Sequence, residues 1–344
     1  MNITRKSFLA GMGAVVAVRE TAFAKVAGHA SPLRFLVASD IHYRPGVFPH
    51  DNRNWLERIL ARAEDARVAF AIQLGDFVHA AKRDSGYLAA WNGSRIPTHN
   101  VVGNHDDDGG VHQETLEAFH LTRGWYHFDI QSFRFIVLDT NYALIGDRYV
   151  HYGKEAGFVQ WKLPPEARMR LHPDELDWLG EVIRDSSFPC IVCSHRRLDG
   201  DDADARAVRT IFSRANVAHP GRVVMAMNGH NHCDSWKVMD GVAYFTVNSA
   251  NHHWVPRRHT AYPAEDVARW REIDHVVAYD TPLSAVVTLL PGGGINVNGM
   301  KGSFWRGIPP EKIGFSKGIT AAIENRTILS ASPGNGSQSE INGE

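Results

Sequence analysis

Histidine, aspartate and asparagine residues recur directly after the apolar strands that this sequence predicts, and they do so five times. A single group of this kind is usually a solvated turn. Five groups, each at a strand end, are hard to explain as core packing because buried polar side chains without partners carry a desolvation cost. Open α/β sheets place their sites at the carboxyl edge of the strands. In chain order the groups are Asp40 and His42, then Asp76, then Asn104, His105 and Asp106, then His195, and finally His230 and His232.

The elements around these groups alternate between apolar strands and amphipathic helices. Helical spacing of apolar residues covers 54–67, 173–186 and 203–214. Alternation of this kind predicts a largely parallel sheet covered by helices on both faces. The predicted strands are 33–39, 69–74, 98–102, 133–138, 188–195, 222–227, 244–247 and 285–290.

The ligand types indicate a pair of metal ions. Imidazole and carboxylate groups together suit Zn, Mn and Fe, and no thiolate is required. Two ions about 3.5–4 Å apart need a shared anionic ligand, which a carboxylate in the middle of the series can supply. Glycines precede Asp76, Asn104 and His230 and permit sharp turns and close backbone approach.

The motifs D-x-H, G-D, G-N-H-D, S-H and G-H-x-H, in this order, resemble those of the calcineurin-like metallophosphoesterases. The resemblance runs from Phe35 to about Val247 and leaves no ligand position of the family unfilled. It implies a four-layer αββα sandwich with a dinuclear metal site at the C-terminal ends of the strands. It also implies a metal-dependent hydrolase of phosphate esters or phosphoanhydrides.

The resemblance also implies a role for each matching residue. His105 would protonate the leaving group, Asp106 would orient His105, and a hydroxide bridging the two metals would attack phosphorus in line. The ions would be Mn, Fe or Zn. Asp40, His42 and His232 would hold the first ion, Asp76 would bridge, and Asn104, His195 and His230 would hold the second ion.

Three hypotheses of function follow. Segments 72–76, 133–139 and 173–179 resemble the manganese-dependent ADP-ribose/CDP-alcohol diphosphatases, a branch that tends to have Gln at the position of His42. Leu138-Asp139-Thr140 resembles class III cyclic-nucleotide phosphodiesterases. We therefore expect a phosphodiester or phosphoanhydride substrate, such as a nucleotide. The alternatives are a phosphomonoesterase and a catalytically silent scaffold of the same fold.

Two long insertions interrupt the alternation, at 141–172 and 251–279. Loops of this length in a compact domain are usually functional or disordered. In the second insertion, His252, His253 and Trp254 are candidates for substrate contact, and a plain surface loop is the alternative. In the first, aromatic side chains either stack on a substrate ring or pack the insertion onto the domain. They are Tyr142, Tyr149, Tyr152, Phe158 and Trp161.

The N-terminus predicts export. Thr4 to Leu9 resembles a twin-arginine signal with Lys6 in the second basic position, and small residues end at Ala24. We expect 1–24 to be a signal peptide and the protein to be periplasmic or extracellular. The alternative is a short amphipathic helix on a cytoplasmic protein. No later segment approaches the ~18 apolar residues of a spanning helix.

Composition limits the remaining classes. The 344 residues are 44% hydrophobic with a net charge of −1, as in a globular protein without the strongly basic face of a dedicated nucleic-acid binder. Cys190 and Cys193 form a C-x-x-C pattern inside a predicted strand, where their Cα atoms would lie roughly 10 Å apart, beyond disulfide reach. We therefore expect two buried strand cysteines. The catalytic domain is assigned to 33–298, and 299–344 is predicted to be a polar extension with a disordered end.

Overall fold

A computed structural model describes residues 31–49, 52–159, 162–291, 293–315 and 318–328. The predicted signal at 1–24, Trp161 and the tail from residue 329 lie outside the described residues. The strands are β1 Leu33–Ala38, β2 Phe70–Gln73, β3 Thr98–Asn100, β4 Tyr126–Ile130, β5 Phe133–Val137, β6 Tyr142–Ile145, β7 Arg148–His151, β8 Cys190–Ser194, β9 Val223–Asn228, β10 Ser235–Met239, β11 Val242–Thr246, β12 His252–Trp254, β13 Val276–Ala278, β14 Ala285–Leu289, β15 Ile295–Asn298, β16 Met300–Lys301, β17 Ala322–Ile323 and β18 Arg326–Ile328. The α-helices are α1 Asn52–Asp65, α2 Ser85–Asn92, α3 His112–Ala118, α4 Pro173–Arg184, α5 Ala203–Ala218, α6 Ala264–Arg269 and α7 Pro310–Ile313.

The strands form two six-stranded mixed sheets. The first has the order β18-β15-β14-β1-β2-β3, with β1, β2 and β3 parallel and the other three antiparallel to their neighbours. The second has the order β10-β11-β9-β8-β5-β4, with β11, β9, β8 and β5 parallel. The five strands that carry the predicted ligands at their ends, β1, β2, β3, β8 and β9, all belong to these parallel parts.

Each strand divides its side chains between two cores because successive residues point to opposite faces. In β1, Phe35 and Val37 pack between the two sheets, whereas Leu36 faces α1 and α2. The ring of Phe35 stacks 5.1 Å from Phe70 on the neighbouring strand β2, and across the interface it lies 5.2 Å from Phe135 of the second sheet. On the outer face of the second sheet, α4 and α5 pack on a third apolar cluster. The result is the four-layer αββα sandwich that the family resemblance implies.

The helix–strand alternation alone predicts one sheet covered on both faces, and that prediction is wrong. Each sheet is covered by helices on one face only, and its other face packs on the partner sheet. Strands with buried residues on both faces occur in both arrangements, so hydrophobic runs do not distinguish them. The positions of the predicted strands and helices agree with the structure to within a few residues, apart from the longer end of α5.

The boundaries of α4 follow from its sequence. The Nδ1 atom of His172 accepts a hydrogen bond from the backbone N–H of Asp174 at 3.2 Å, and Pro173 occupies the first helical position. Proline fits there because its missing N–H would have no partner in the helix. Asp174 and Glu175 stand in the first turn and Arg184 in the last, which matches the helix dipole. This helix closes the first insertion.

The C-x-x-C cysteines are both reduced and buried in β8. Because they are three residues apart, they lie on opposite faces of the strand. Cys193 packs between the sheets and Cys190 packs under the helices of the second sheet. Burial raises the pKa of the Cys190 thiol to about 11. The prediction of two buried strand cysteines is confirmed.

The segment beyond residue 298 continues the fold. Strand β18 pairs antiparallel with β15, so the first sheet extends past the domain boundary placed at 298. Arg326 also forms an ion pair with Asp234 at 2.6 Å. Polar composition is compatible with an edge strand, which explains why the sequence pattern suggested an extension. None of the helices in the described ranges is long and apolar enough to cross a membrane.

Candidate active site

Seven predicted ligands meet at one edge of the sandwich, and we call them the strand-end cluster. Each follows a strand of the parallel part of a sheet, so the turn after that strand delivers its side chain to the same place. Asp40 and His42 follow β1, Asp76 follows β2, Asn104 follows β3, His195 follows β8, and His230 and His232 follow β9.

Three of these side chains form one half of the cluster. The Nε2 atoms of His42 and His232 are 3.0 Å apart. The Nε2 atom of His232 lies 3.2 Å from Asp40 Oδ1, and that of His42 lies 3.9 Å from the same oxygen. These are the residues that the resemblance assigns to the first metal ion.

Three others form the second half. His195 Nε2 lies 3.2 Å from the side-chain oxygen of Asn104, and His230 Nδ1 lies 3.3 Å from His195 Nε2. Asp76 stands between the halves, because its Oδ2 is 3.7 Å from His42 Nε2 and 3.1 Å from His195 Nε2. Asp76 is therefore placed where a carboxylate could serve two ions.

Hydrogen bonds from the far side of two rings determine which nitrogen faces the cluster. His195 Nδ1 contacts the Leu74 carbonyl at 2.8 Å, and His232 Nδ1 contacts the His252 carbonyl at 2.6 Å. A carbonyl only accepts, so each Nδ1 carries a proton and Nε2 is the nitrogen that faces the cluster and would bind an ion. Burial opposes the charged ring of His195, but Asp76 and Asp40 outweigh it and raise the pKa of His195 to about 9, so an ion binding there would displace a proton from Nε2. Backbone partners of this kind are typical of metal-binding histidines.

The donor set fits metal ions. Burial lowers the pKa of His42, and neighbouring histidines lower it further. Burial and the charge of His195 lower the pKa of His230 to about 3, so both rings are neutral at physiological pH. Neutral imidazoles facing carboxylates Asp40 and Asp76 are the ligands that Zn, Mn or Fe take in proteins. A cation would also separate lone pairs that otherwise face one another.

The backbone at these turns adopts a conformation that L-residues rarely take. Asp40, His42, Asp76, His230 and His232 all have left-handed φ angles, between 48° and 64°. Such residues cost of order 1–3 kcal/mol each and persist only where the surrounding structure holds them. Five of the seven predicted ligands share this feature, which points to a site whose geometry is fixed in advance.

Two glycines allow the strand ends to come this close. A side chain on Gly103 would collide with the backbone nitrogen and carboxylate of Asp76, and one on Gly229 would collide with Ser39 and Asp40. Only glycine lets the turns approach one another in this way. This is the close backbone approach that the sequence predicts for the glycines before the ligands.

His105 lies at the mouth of the cluster with its side chain 25% exposed. Its backbone N–H donates to Asp76 Oδ1 at 2.7 Å, and one ring nitrogen lies within 4.8 Å of ligand atoms of His42 and Asp76. Burial disfavours the charged ring, but Asp76 and Asp108 outweigh it and raise the pKa of His105. A protonated ring beside the ligands is suited to general acid chemistry.

In the structure, Asp108 contacts the ring of His105, whereas Asp106, to which the resemblance assigns the orienting role, binds backbone groups. Asp106 accepts the backbone N–H groups of four residues at 2.7–3.0 Å, and so joins the turn after β2 to the turn after β3. Its carboxylate is occupied by these donors. The ring of His105 instead contacts Asp108, with Nδ1 2.7 Å from Oδ2. Residues 106–108 are three consecutive aspartates. The family motif includes the first of them, whereas the turn places the third beside the ring of His105.

Two further histidines support the cluster and were not predicted as part of it. His79 Nε2 lies 2.8 Å from His42 Nδ1, and His79 Nδ1 lies 3.4 Å from Asp108 Oδ2. A chain of contacts therefore links a ligand, His42, to the carboxylate that holds His105. His252, in β12, is fully buried against His42 and His232, with ring centroids 5.1 Å from each. The sequence offered His252 as a substrate contact, and a plain surface loop is excluded by its burial.

The first insertion begins beside the cluster. Thr140 Oγ1 accepts the backbone N–H of Arg196, the residue after His195, at 3.2 Å, and Lys154 N–H donates to the carbonyl of Gly110 at 2.9 Å. Of its aromatic residues, Tyr142 and Tyr152 are buried. These two pack the insertion and cannot stack on a substrate. Tyr149 is half-buried and Phe158 is 50% exposed.

Comparison with known proteins agrees with this geometry. A sequence model described as calcineurin-like phosphoesterase matches residues 33–234, more than half of the chain. The chain belongs to the calcineurin-like phosphoesterase family. No curated protein matches the sequence.

Solved structures share the fold. A dimetal phosphatase from Danio rerio is 16% identical with a TM-score of 0.57, over 87% of this chain and 99% of that one. A purple acid phosphatase from yellow lupin, Lupinus luteus, is 14% identical with a TM-score of 0.47, over 80% of this chain and 52% of that one. The fold of this chain is thus similar to that of the dimetal phosphatase.

Proposed function

We propose that this protein hydrolyses a phosphodiester or phosphoanhydride with two metal ions of the Mn, Fe or Zn type held by the strand-end cluster. The observation that carries the proposal is the position of Asp76 between two groups of imidazole and oxygen donors, 3.7 Å from His42 and 3.1 Å from His195. A scaffold without activity would have no reason to keep this arrangement together with the acid His105.

The ions would supply Lewis acidity toward the phosphate group and lower the pKa of a water molecule. The chain supplies the rest. His105 donates a proton to the leaving oxygen, and Asp108, at its Nδ1, keeps the ring oriented and favours its protonated form. His79 contacts both His42 and Asp108 and restrains the two sides of the site relative to each other.

A substrate that extends on both sides of the phosphate is favoured by the insertions. In the first insertion, the carbonyl of Met169 accepts from the side chain of Arg196, the residue after His195, and Lys154 N–H donates to the loop after His105. The second insertion places β12 against His42 and His232. Tyr149 and Phe158 retain exposed ring surface on the first insertion. Aromatic faces stack on a base at about 1–3 kcal/mol. Diesters and nucleotide diphosphates present such groups, whereas small monoesters do not.

The deciding experiment compares substrates on the purified, metal-loaded protein. A bis-aryl phosphodiester, an aryl monoester, a cyclic nucleotide and a nucleotide diphosphate would be assayed with Mn²⁺, Zn²⁺ and Fe²⁺, and bound metal would be counted in parallel. We expect two ions at the strand-end cluster and the highest kcat/KM for a diester or diphosphate. A wide preference for the small monoester would replace this proposal by a phosphomonoesterase. Inactivity on all substrates with the cluster loaded would indicate a scaffold.

We further propose that the chain is exported and that residues 1–24 are removed. The support is the sequence Thr4 to Leu9 and the small residues that end at Ala24. Mass spectrometry of protein from the native host, after separation of periplasm and cytoplasm, tests it. We expect a mature N-terminus at or near Lys25 in the exported fraction, whereas intact Met1 on cytoplasmic protein would refute it.

A further inference from the structure

A second group of metal-type ligands lies outside the strand-end cluster. It consists of His112 at the start of α3, Asp139 after the end of β5 and His151 at the end of β7, and we call it the hairpin cluster. None of the three residues belongs to the five motifs that supply the strand-end cluster, and the resemblance of Leu138-Asp139-Thr140 to phosphodiesterases gave Asp139 no ligand role. His112 and Asp139 are buried, and the side chain of His151 is 19% exposed.

Three polar atoms converge here without a hydrogen bond. The Nε2 atoms of His112 and His151 lie 3.2 and 3.3 Å from Asp139 Oδ2. These are distances of ion pairs between the rings and the carboxylate, although in the described part of the chain none of the three atoms makes an aligned hydrogen bond. A divalent cation could take the place of the ring protons and hold the same three atoms together.

The surrounding contacts prepare both rings to bind a cation. His112 Nδ1 lies 3.1 Å from Asp107 Oδ2, and His151 Nδ1 lies 3.4 Å from Glu155 Oε2. A carboxylate at Nδ1 holds the proton on that nitrogen and leaves Nε2 to bind, which is the arrangement behind metal-bound histidines. The other oxygen of Asp139 accepts two hydrogen bonds from Asn141, so only Oδ2 faces the rings.

The spacing is that of ligands around one ion. Donor atoms about 2.0–2.1 Å from a tetrahedral ion lie about 3.3 Å apart, which matches both separations from Asp139. Two imidazoles and a carboxylate suit Zn²⁺, Co²⁺, Mn²⁺ or Fe²⁺. The local charge agrees, because the carboxylates of Asp107, Asp139 and Glu155 outnumber the two rings.

We propose that the hairpin cluster is a third, mononuclear site for a divalent transition-metal ion. The two rings are stacked, with centroids 3.6 Å apart and planes at 4°, so an ion cannot lie in both planes at once. Binding therefore rotates a ring out of the stack. His151 is the one that moves, because it stands at the end of a hairpin and is partly exposed. The ion would tie the first insertion to α3 and, through Asp107, to the loop that carries His105.

The test counts metal in chains where the strand-end cluster is weakened. Protein carrying Asp76→Asn, with and without His151→Gln, would be equilibrated with Zn²⁺ and desalted, and its zinc content measured by elemental analysis. We expect His151→Gln to remove about one equivalent. His172→Gln, at the other end of the same insertion, is the matched control and should remove none. Equal zinc in the chains with and without His151→Gln would overturn the proposal.

A second variant keeps the test valid if His151→Gln does not fold. Glu155→Gln changes a surface carboxylate that is 38% exposed and lies 3.4 Å from Nδ1 of His151, on the side of the ring away from Asp139. Loss of such a partner typically weakens metal binding about 10–100-fold, and we expect a weaker Kd of this size for one site in a zinc titration. Unchanged affinities at every site would contradict the proposal. The result does not depend on the substrate of the strand-end cluster.

Discussion

The strand-end cluster and the hairpin cluster use the same types of side chain, chiefly histidine and aspartate, but these side chains stand on different backbone elements. The first stands on turns after five strands, and five of its seven members have left-handed backbone. The second draws on a helix, a strand end and a hairpin, and none of its three members has a positive φ. Backbone strain is therefore concentrated where the geometry of chemistry must be fixed, whereas the hairpin cluster relies on side-chain contacts alone.

The two clusters also differ in charge. In the strand-end cluster, burial and neighbouring rings lower the pKa of His42 and lower that of His230 to about 3, whereas Asp76 and Asp40 outweigh burial and raise the pKa of His195 to about 9. In the hairpin cluster, burial also opposes the charged form, but Asp139 and Asp107 outweigh it and raise the pKa of His112 to about 11. Neutral rings are ready to bind an ion, and charged rings must first release protons. We therefore expect tighter metal binding at the strand-end cluster.

The largest effect should follow the loss of Asp76. Asp76→Ala removes the carboxylate between the two groups of donors, and losing its charge exposes bound ions to mutual repulsion. We expect kcat/KM to fall by more than about 10³-fold, which corresponds to several kcal/mol of barrier. Activity and metal content would be measured together. The control is Asp266→Asn. Asp266 is a buried aspartate of the second insertion that forms an ion pair with Arg306, and the variant should stay active. Near-normal turnover with two tightly bound ions in Asp76→Ala would contradict the bridging role.

His105 should act as an acid and not as a ligand. His105→Asn should leave metal content near normal and lower kcat by about 10²–10⁴-fold, as is typical for loss of general acid catalysis. The loss should shrink for leaving groups that are already weak bases, such as nitrophenol, because they need little protonation. Equal losses for good and poor leaving groups would argue against the acid role.

Asp108 and Asp106 should differ in what they support. Asp108→Asn removes the partner of the His105 ring, so kcat should fall by about 10–100-fold, less than in His105→Asn, with stability nearly unchanged. Asp106→Asn weakens four hydrogen bonds to backbone N–H groups, and bonds to a charged group are worth about 1.5–3 kcal/mol each. We expect Asp106→Asn to lower the unfolding free energy by a few kcal/mol. Kinetics and urea unfolding on both variants would separate the two roles. A large loss of kcat in Asp106→Asn, together with a loss of stability in Asp108→Asn, would instead support Asp106 as the residue that orients His105.

The strand-end cluster could be predicted from sequence because all its members follow strands in a recognisable order. The five motifs identify seven side chains, and the structure brings all seven together. The αββα arrangement came from the resemblance and not from periodicity, since a strand between two layers has the same apolar pattern in one sheet or two. Antiparallel strands β14 and β15 follow the motifs and carry no ligand signal.

The hairpin cluster could not be predicted because its members share no local pattern. His112, Asp139 and His151 belong to three kinds of element, and each alone is an ordinary polar residue. His79 and Asp108 were missed for a related reason, since they act through turn geometry that no spacing rule reveals. Tyr142 and Tyr152 were offered as stacking residues, and tertiary packing buried them. The role of such side chains depends on contacts between elements that are far apart in the sequence, so only the structure reveals it.

A smaller effect is expected on the surface of the first insertion. Tyr149→Ala removes a half-buried ring that packs edge-on against Tyr142 and His172. If the ring also stacks on a base, KM for a nucleotide substrate should rise by up to about tenfold, while hydrolysis of a small aryl phosphate should hardly change. Tyr152→Phe, inside the insertion, is the control for packing. Parallel changes for both substrates would assign Tyr149 to packing alone.

A further effect should appear as a pH dependence of stability in metal-stripped protein. The pKa of His112 is raised from 6.5 to about 11 in the fold, so protonation favours the folded state. This contribution is complete below about pH 6.5 and is lost as the pH rises toward about 11, and we expect it to be on the order of 1–3 kcal/mol. The advantage of the wild type over His112→Gln in urea unfolding should therefore shrink between about pH 6 and about pH 10 with a chelator present. Added Zn²⁺ should preserve that advantage at alkaline pH, because the ion replaces the protons between the rings and Asp139. If the stability advantage of the wild type over His112→Gln instead grows with pH in metal-stripped protein, His112 is neutral in the fold. The two clusters would then not differ in charge.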